Sequence, residues 1–312
     1  MSPKKSIRYT VQQCLIFGCG DTGRRVARLA LAQDMAVAGA VRSAASKQEL
    51  HDIGIESFVY DLDVPLTRSD MPSLAAHICY LVPPPDEGED DPRLEQALHG
   101  LERSGLPARI LYVSTTGVYG DCQGRWIDEN APLAPATVRA RRRVAAETRL
   151  REWCTLHGVA WIILRVPAIY GPHRLPVERL RARLPVPQPD TRHYSNRIHI
   201  DDLAHICFKA LTDAPDNSLY NVSDGKPGSF ADYLLLLAEL TGLPAPPLIP
   251  MQGAEGHIDP GMLSFLRESK RIRNDKLLHE LKLTLQYPDA RSGILASLTV
   301  MADSNLQKES RC

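Results

Sequence analysis

Gly18, Gly20 and Gly23 stand in the run CLIFGCGDTGRRVARLA, directly after four apolar residues and at the start of an amphipathic stretch. Glycines spaced this way have three separate uses. The first permits a tight turn, the second lets the backbone approach a pyrophosphate, and the third allows a helix to lie close on a strand, while free N–H groups at the helix start meet the anion. Cys19, Asp21 and Thr22 lie in the same turn, with Asp21 placed to cap the helix. A second apolar run, MAVAGAV, closes the unit within about 30 residues, which is the context this motif requires. The chemistry indicated is dinucleotide binding. At the end of that second run an acid usually holds the ribose 2′-hydroxyl, but here stands Arg42, in AVRSAASK. A guanidinium cannot accept those hydrogen bonds. It pairs instead with a 2′-phosphate, with Ser43, Ser46 or Lys47 to assist, so NADP is favoured over NAD.

A second candidate is VRARRR, residues 138–143. Ala146, Leu150, Trp153 and Cys154 form the apolar stripe of a helix here, and stepping back along it by helical spacings reaches Arg143 and Arg139. Those two are expected to face inward, Arg141 outward and Arg142 near the boundary. An inward arginine stays charged and moves no proton, yet it clamps a phosphate or carboxylate. Arg143 is also placed to pair with Glu147 one turn on. His173, Arg174, Arg192, His193, Tyr194 and Arg197 gather in a later irregular segment and suggest an anionic or phosphorylated ligand. Asp201 and Asp202 are adjacent acids opening a helix, a capping pattern, and no His or Cys stands near them at ligand spacing. No metal is expected.

The elements that position these residues follow from periodicity. Short apolar runs (CLIF, MAVAGAV, IESFVY, HICYLV, RILYVS, AWIILRV) alternate with helical patterns, including PRLEQALHGLERS and a helix through 137–157. This is the signature of βαβ units and a parallel sheet. After Pro167 the texture changes, and prolines and arginines crowd residues 172–198, suited to a loop or lid over a site. The fold class expected is α/β, a Rossmann-type doubly wound parallel sheet over 12–170 with a smaller C-terminal substrate-binding region over 171–300, in which 199–224 returns to the Rossmann core.

Composition narrows the partners. Lysine plus arginine equals aspartate plus glutamate, 37 against 37 in 312 residues, so there is no global basic field of the kind nucleic-acid binders use. Any anion site is therefore local, and neither a nucleic acid nor a membrane is an expected partner. The seven cysteines are scattered, with no C-x-x-C pair, and read as reduced thiols. No apolar run approaches the roughly 20 residues of a membrane span, which suggests a cytoplasmic location.

Taken in order, GCGDTG, VYDLD, YVSTTGVYGD, LRVPAIYGP, IHIDDLA and YNVSDG resemble the extended short-chain dehydrogenase/reductases, the NAD-dependent epimerase/dehydratase family. The resemblance implies that Asp61 and Leu62 lie in the adenine-contact slot, that Val82, Pro83 and Pro84 belong to a loop passing over the cofactor, and that the backbone of Pro167 and Ala168 lies against the nicotinamide. It further implies a Ser/Thr–Tyr–Lys catalytic arrangement. Thr115 stands in the Ser/Thr slot, whereas the Tyr-x-x-x-Lys slots fall at Arg139 and Arg143, so both members of the pair are missing. Tyr112, Tyr119 and Tyr170 are the tyrosines left nearby, the last two being family loop features. The nucleotide-sugar members carry an arginine four residues before the histidine of IHIDDLA; here Ser195 stands there and Arg197 lies two before His199, which speaks against a nucleotide-diphospho-sugar. His173 and Arg197 are the candidate substrate residues. By the same resemblance the helices at 92–104 and 137–157 are candidate homodimer surfaces.

Two functions are compatible with these residues. One is an NADP-dependent oxidoreductase or epimerase-like enzyme acting on a small polar or anionic substrate with the Tyr and Lys replaced. The other is a non-catalytic NAD(P)-binding sensor or regulatory protein.

Overall fold

Runs rich in Val, Ile and Leu, apolar on both faces, form central strands of a parallel sheet that helices cover on either side. The computed structural model describes residues 13–64, 76–188, 193–252 and 254–309. Its elements in chain order are β1 (Gln13–Phe17), α1 (Asp21–Leu31), β2 (Ala36–Val41), α2 (Ala44–His51), β3 (Glu56–Val59), β4 (His77–Tyr80), α3 (Pro92–Ser104), β5 (Arg109–Thr115), β6 (Trp126–Ile127), α4 (Val138–His157), β7 (Ala160–Val166), β8 (Ala168–Tyr170), α5 (Val177–Arg181), β9 (Val186–Pro187), β10 (Arg197–His199), α6 (Ile200–Asp213), β11 (Ser218–Asn221), α7 (Phe230–Thr241), β12 (Leu248–Ile249), α8 (Pro260–Leu266), β13 (Arg271–Ile272), α9 (Asp275–Glu280) and α10 (Ala290–Glu309).

The main sheet has seven strands in the order β11-β7-β5-β4-β1-β2-β3, and every pairing in it is parallel. The chain runs outward from β1 to β3, then returns to lay β4 against the other side of β1. The winding direction reverses between β1 and β4, and at such a point the loops leaving the strand ends part and open a crevice for a ligand. One face of the sheet is covered by α1 and α6, through Val26, Ala27 and Ala30 with Leu203, Ile206 and Ala210. The other is covered by α3 and α4, through Leu94, Leu98 and Leu101 with Ala146, Leu150 and Trp153. A further apolar cluster, including Leu180, Val186, Leu234, Leu237 and Ile294, joins α5, α7 and α10.

The segment 172–198 carries more regular structure than its composition suggests. It contains α5, β9 and β10; β10 pairs with β8, and β9 pairs with β12 of the proline-rich connector. Pro187 is tolerated in β9 because the flanking residues make the ladder bonds, Val186 N to Pro247 O and Gln188 N to Ile249 O, both on this short edge. Among the described residues no helix is long and apolar enough to cross a membrane, and Cys14, Cys19, Cys79, Cys122, Cys154 and Cys207 are buried free thiols.

Candidate functional site

The glycine turn leaves β1 at the switch point. Gly18 has φ +75°, and a Cβ there would lie 3.1 Å from Val82 N and 3.2 Å from Leu81 C, so the turn presses against the end of β4. A Cβ at Gly23 would lie 3.1 Å from both Gly18 O and Ile16 Cγ2, which brings α1 close onto its strand. Gly20 differs from both: around its Cβ position the nearest atom is 4.0 Å away. The open side of the turn is thus the side at which free helix N–H groups can receive an anion. Thr22 is half-buried, whereas the Cys19 side chain is buried, and burial pushes its thiol up to about 12.

Asp21 does not cap α1. Gly20 occupies the cap position without a side-chain bond, and Asp21 is the first helical residue. Its carboxylate instead accepts from Arg25 Nε at 3.2 Å and from Arg174 Nε at 3.0 Å. Partial burial works to raise the Asp21 pKa, but the bond from Arg174 and the charge of Arg25 outweigh it and hold it below its ordinary value. The expected caps at Asp201 and Asp202 are likewise elsewhere: His199 Nδ1 caps α6 by accepting from Asp201 N, Asp201 pairs with Arg25, and the Asp202 carboxylate accepts from Gln286 N and Tyr287 N. Both acids lie inside the first helical turn, where a carboxylate still favours the positive end of the helix dipole.

Beside Gly18 opens a cavity of about 300 Å³ lined by Arg42, Asp61, Leu62, Val82 and Pro83, with Asp63 and Arg93. Pro84, the next residue along the chain, is buried and is not part of this lining. Arg42 is exposed; the bond and charge of Arg93, and after them the charge of Arg42, hold the Asp63 carboxyl below its ordinary value. Arg93, which no motif marks in the sequence, braces the floor: it grips Asp63 through Nε at 2.6 Å and Nη2 at 2.7 Å and donates Nη1 to Pro83 O at 3.0 Å.

On α4 the arginines divide differently from the expectation. Thr137 caps the helix, its Oγ1 accepting from Ala140 N at 3.1 Å. Arg142, expected near the boundary, is 3% exposed and its guanidinium donates to Pro85 O, Asp86 O and Gly88 O. It thereby pins the loop that continues from Pro83 and Pro84. Four residues back from Ala146 is Arg142, and three back is Arg143, so these two extend the buried stripe. Arg143 is half-buried and donates to Tyr112 Oη at 2.9 Å and Val113 O at 3.1 Å. Arg139, expected to face inward, is exposed because it lies in the first turn beyond the stripe, and it lines a second cavity. Arg141 is exposed as expected. Glu147 does not take Arg143; it is fully buried and held by Ser114 Oγ at 2.6 Å, by Arg165 Nη2 at 2.7 Å and by Arg151 at 3.3 Å.

That second cavity, about 530 Å³, is where the remaining candidates converge. Among the described residues its wall carries Arg139, Arg174, Arg179 and Arg197 against one carboxylate, Asp259, which also caps α8 through Met262 N. Ala168, Ile169, Tyr170, Phe230, Tyr233 and Phe265 supply its apolar side. Arg197 is buried, stacked 4.8 Å from the Tyr233 ring centre, and its Nη2 donates to Ser195 Oγ at 3.2 Å. The guanidinium thus reaches back to the position from which the family's arginine is missing. Arg179 donates Nη2 to Pro185 O while its buried Nε has no partner among the described residues. His173 is exposed at φ +62° and is not on the wall; the next residue, Arg174, is. His193 and Tyr194 line a small neighbouring recess, and Arg192 lies outside the described residues. Pro167 is half-buried at the end of β7.

Three tyrosines and one hydroxyl bear on proton transfer. Thr115 is half-buried at the end of β5, and its Oγ1 accepts from Gly117 N at 3.1 Å. Tyr112 Oη accepts from Arg143, and burial pushes that phenol up to about 12. Tyr119 Oη donates to Asn221 Oδ1 at 2.7 Å and accepts from Arg165 Nη1 at 2.9 Å; its pKa is raised by burial. Tyr170 Oη donates to Asp289 O at 3.2 Å, and burial raises it too.

A glycine turn at the switch point of an all-parallel sheet, with a cavity beside it, is the arrangement of a Rossmann-type α/β fold. The sequence pattern of the NAD dependent epimerase/dehydratase family matches residues 94–223 of this chain. Protein YeeZ of Escherichia coli K12 is 26% identical over 287 residues, 89% of this chain and 97% of that one. A structure of a functionally unknown conserved protein from Silicibacter pomeroyi is 30% identical, covers 93% of this chain and 99% of its own, and superposes with a TM-score of 0.80. The Thermus thermophilus UDP-glucose 4-epimerase in complex with NAD shares the fold at 22% identity, with a TM-score of 0.70 over 92% of this chain and 99% of its own.

Proposed function

We propose that the protein binds NADP(H) in the Gly18–Gly23 turn and acts as an oxidoreductase or epimerase-like enzyme on a small polar or anionic substrate held in the arginine-lined cavity. The observation that carries this reading is the charge of that cavity, four guanidinium groups against one carboxylate among the described residues, in a chain whose charges otherwise balance. Electrostatic focusing of this kind raises the local concentration of an anion and fixes its orientation. The turn itself suits a pyrophosphate: Gly20 is open and α1 starts beside it. Arg42, exposed and lining the neighbouring cavity, suits a 2′-phosphate.

A nicotinamide bound against Pro167 and Ala168 supplies hydride chemistry, and the chain's part is to hold the substrate and manage charge. Thr115 keeps its hydroxyl hydrogen available for a substrate oxygen, because the bond it makes to Gly117 uses the oxygen as acceptor. Arg139, on the cavity wall, offers a planar fork of N–H donors and no acceptor, and so clamps an acidic group rather than serving as a base. The test is turnover of a panel of carbonyl compounds and sugar nucleotides with NADPH. Activity that falls at least tenfold in Arg139→Ala, through KM, supports the reading; activity with no substrate in the panel opposes it.

The sensor reading also has a specific observation behind it. Tyr112, Tyr119 and Tyr170 each have the hydroxyl engaged in a core bond, which leaves no free phenol among those three to replace the missing catalytic tyrosine. Tight NADPH binding without turnover is its expected signature.

A further inference from the structure

The turn and the cavity meet at one ion pair. Asp21 places a carboxylate in the first turn of α1, beside the open face of Gly20, where an acid opposes any bound pyrophosphate. Its partner Arg174 donates from Nε at 3.0 Å and lines the cavity, and its guanidinium makes no other hydrogen bond or ion pair among the described residues. Asp21 therefore grips one edge of the guanidinium and leaves the Nη edge, the one suited to a carboxylate or phosphate, unengaged. His173, at φ +62°, turns the chain just before Arg174. Arg25, the other partner of Asp21, does not line the cavity and is shared with Asp201.

We infer that Asp21 is a positioning residue for the anionic ligand of the cavity: it holds Arg174 by Nε so that the Nη edge is presented to the ligand's charge. The inference rests on the reading above that the turn takes the cofactor and the cavity the substrate. Its physical basis is pre-organisation. A long, rotamer-rich side chain binds an anion more tightly when a fixed acid has already restricted it. An acid so placed has opposite effects on the two ligands, helping the cavity anion through Arg174 and hindering the cofactor through repulsion of its pyrophosphate.

The opposite signs make the test. Inorganic phosphate is titrated calorimetrically into the full-length protein saturated with NADPH, so that the turn is occupied, for the wild type, Asp21→Asn, Arg174→Ala, the double variant and Arg179→Ala. NADPH affinity is measured for each. Asp21→Asn is expected to weaken phosphate by roughly twofold to fivefold, the range of a half-exposed ion pair, and to leave NADPH binding unchanged or tighter. The double variant is expected to bind phosphate no more weakly than Arg174→Ala alone. Additive losses overturn the inference, as does unchanged phosphate affinity in Asp21→Asn, or a parallel loss of NADPH that marks damage to the turn. Phosphate affinity that also ignores Arg179→Ala removes the cavity reading and this inference with it, whereas dependence on Arg179 but not on Asp21 removes the inference alone. A second variant, Asp21→Ala, repeats the comparison without an amide in place of the acid.

Discussion

Replacing each turn glycine by alanine separates folding from binding. At Gly18 the added methyl meets two obstacles, a backbone at φ +75° and the atoms of Leu81 and Val82 at 3.0–3.2 Å. The left-handed conformation costs an L-residue about 1–2 kcal/mol, and forcing the contact adds roughly 1–3 kcal/mol. Gly18→Ala is therefore expected to lose about 2–5 kcal/mol of stability. At Gly23 the methyl sits 3.1 Å from Gly18 O and Ile16 Cγ2, but helix propensity returns up to about 1 kcal/mol, and a smaller loss is expected. At Gly20 φ is −82° and the nearest atom is 4.0 Å away, so Gly20→Ala is expected to stay within about 1 kcal/mol of the wild type. Its cost appears in binding, because the methyl fills the space into which the pyrophosphate comes; a clash of roughly 1–3 kcal/mol is about a tenfold to hundredfold loss of NADPH affinity. Urea unfolding and NADPH fluorescence on the same three proteins give both quantities. Gly20→Ala that binds NADPH like the wild type, or unfolds as readily as Gly18→Ala, refutes the assignment.

Two further outcomes test the interior. Arg165→Met removes both guanidinium bonds to the buried Glu147 carboxyl and leaves it only Ser114 and the more exposed Arg151, the Arg165 and Glu147 side chains being 3% and 0% exposed; it is expected to cost about 3–5 kcal/mol in urea unfolding at pH 7, Arg165→Met combined with Glu147→Leu should recover much of it, and a single-variant loss below about 1 kcal/mol contradicts the buried pair. Burial raises Asp224 from its ordinary 3.8 to about 6, and its Oδ2 has no partner among the described residues. A carboxyl with a raised folded pKa binds its proton more tightly in the native state, so the wild type loses stability as pH rises from about 4 to 6 and carries the full penalty above that. Asp224→Asn is expected to gain stability at pH 8, by at most about 3 kcal/mol for a shift of this size, and nothing at pH 3.5; an equal gain at both pH values removes the titration from the explanation.

The sheet was legible because its signal is local: each βαβ unit declares itself by an apolar run followed by an amphipathic one, and all seven strands of the main sheet pair in parallel. The glycine turn was legible for the same reason, since its three residues act within one turn. Helical phase was harder. From Ala146, spacings of three and four reach Arg143 and Arg142, while Arg139 lies a further turn away at the helix start, past the edge of the core; the most buried arginine of the cluster was thus the one placed at the boundary. Arg174 was legible only as one of the charged residues crowded into 172–198, and Arg179 not at all, because the cavity they line is assembled from α4, β8, α5, β10, α7 and α8, segments distant in sequence. The failed caps share a cause too: Asp21, Asp201 and Asp202 sit one to three residues inside their helices, where the same residue type accepts from partners across the fold.

We propose above all that the turn binds a dinucleotide and that Arg42 selects the phosphorylated one. A paired fluorescence titration with NADPH and NADH, on the wild type and on Arg42→Ala, tests it most directly. NADPH is expected to bind at least tenfold more tightly than NADH to the wild type, with Arg42→Ala losing that preference while keeping its affinity for NADH, since a charge-assisted pair to the 2′-phosphate is worth about 1.5–3 kcal/mol. Equal affinity for the two cofactors contradicts the role of Arg42, and no binding of either contradicts the dinucleotide site itself.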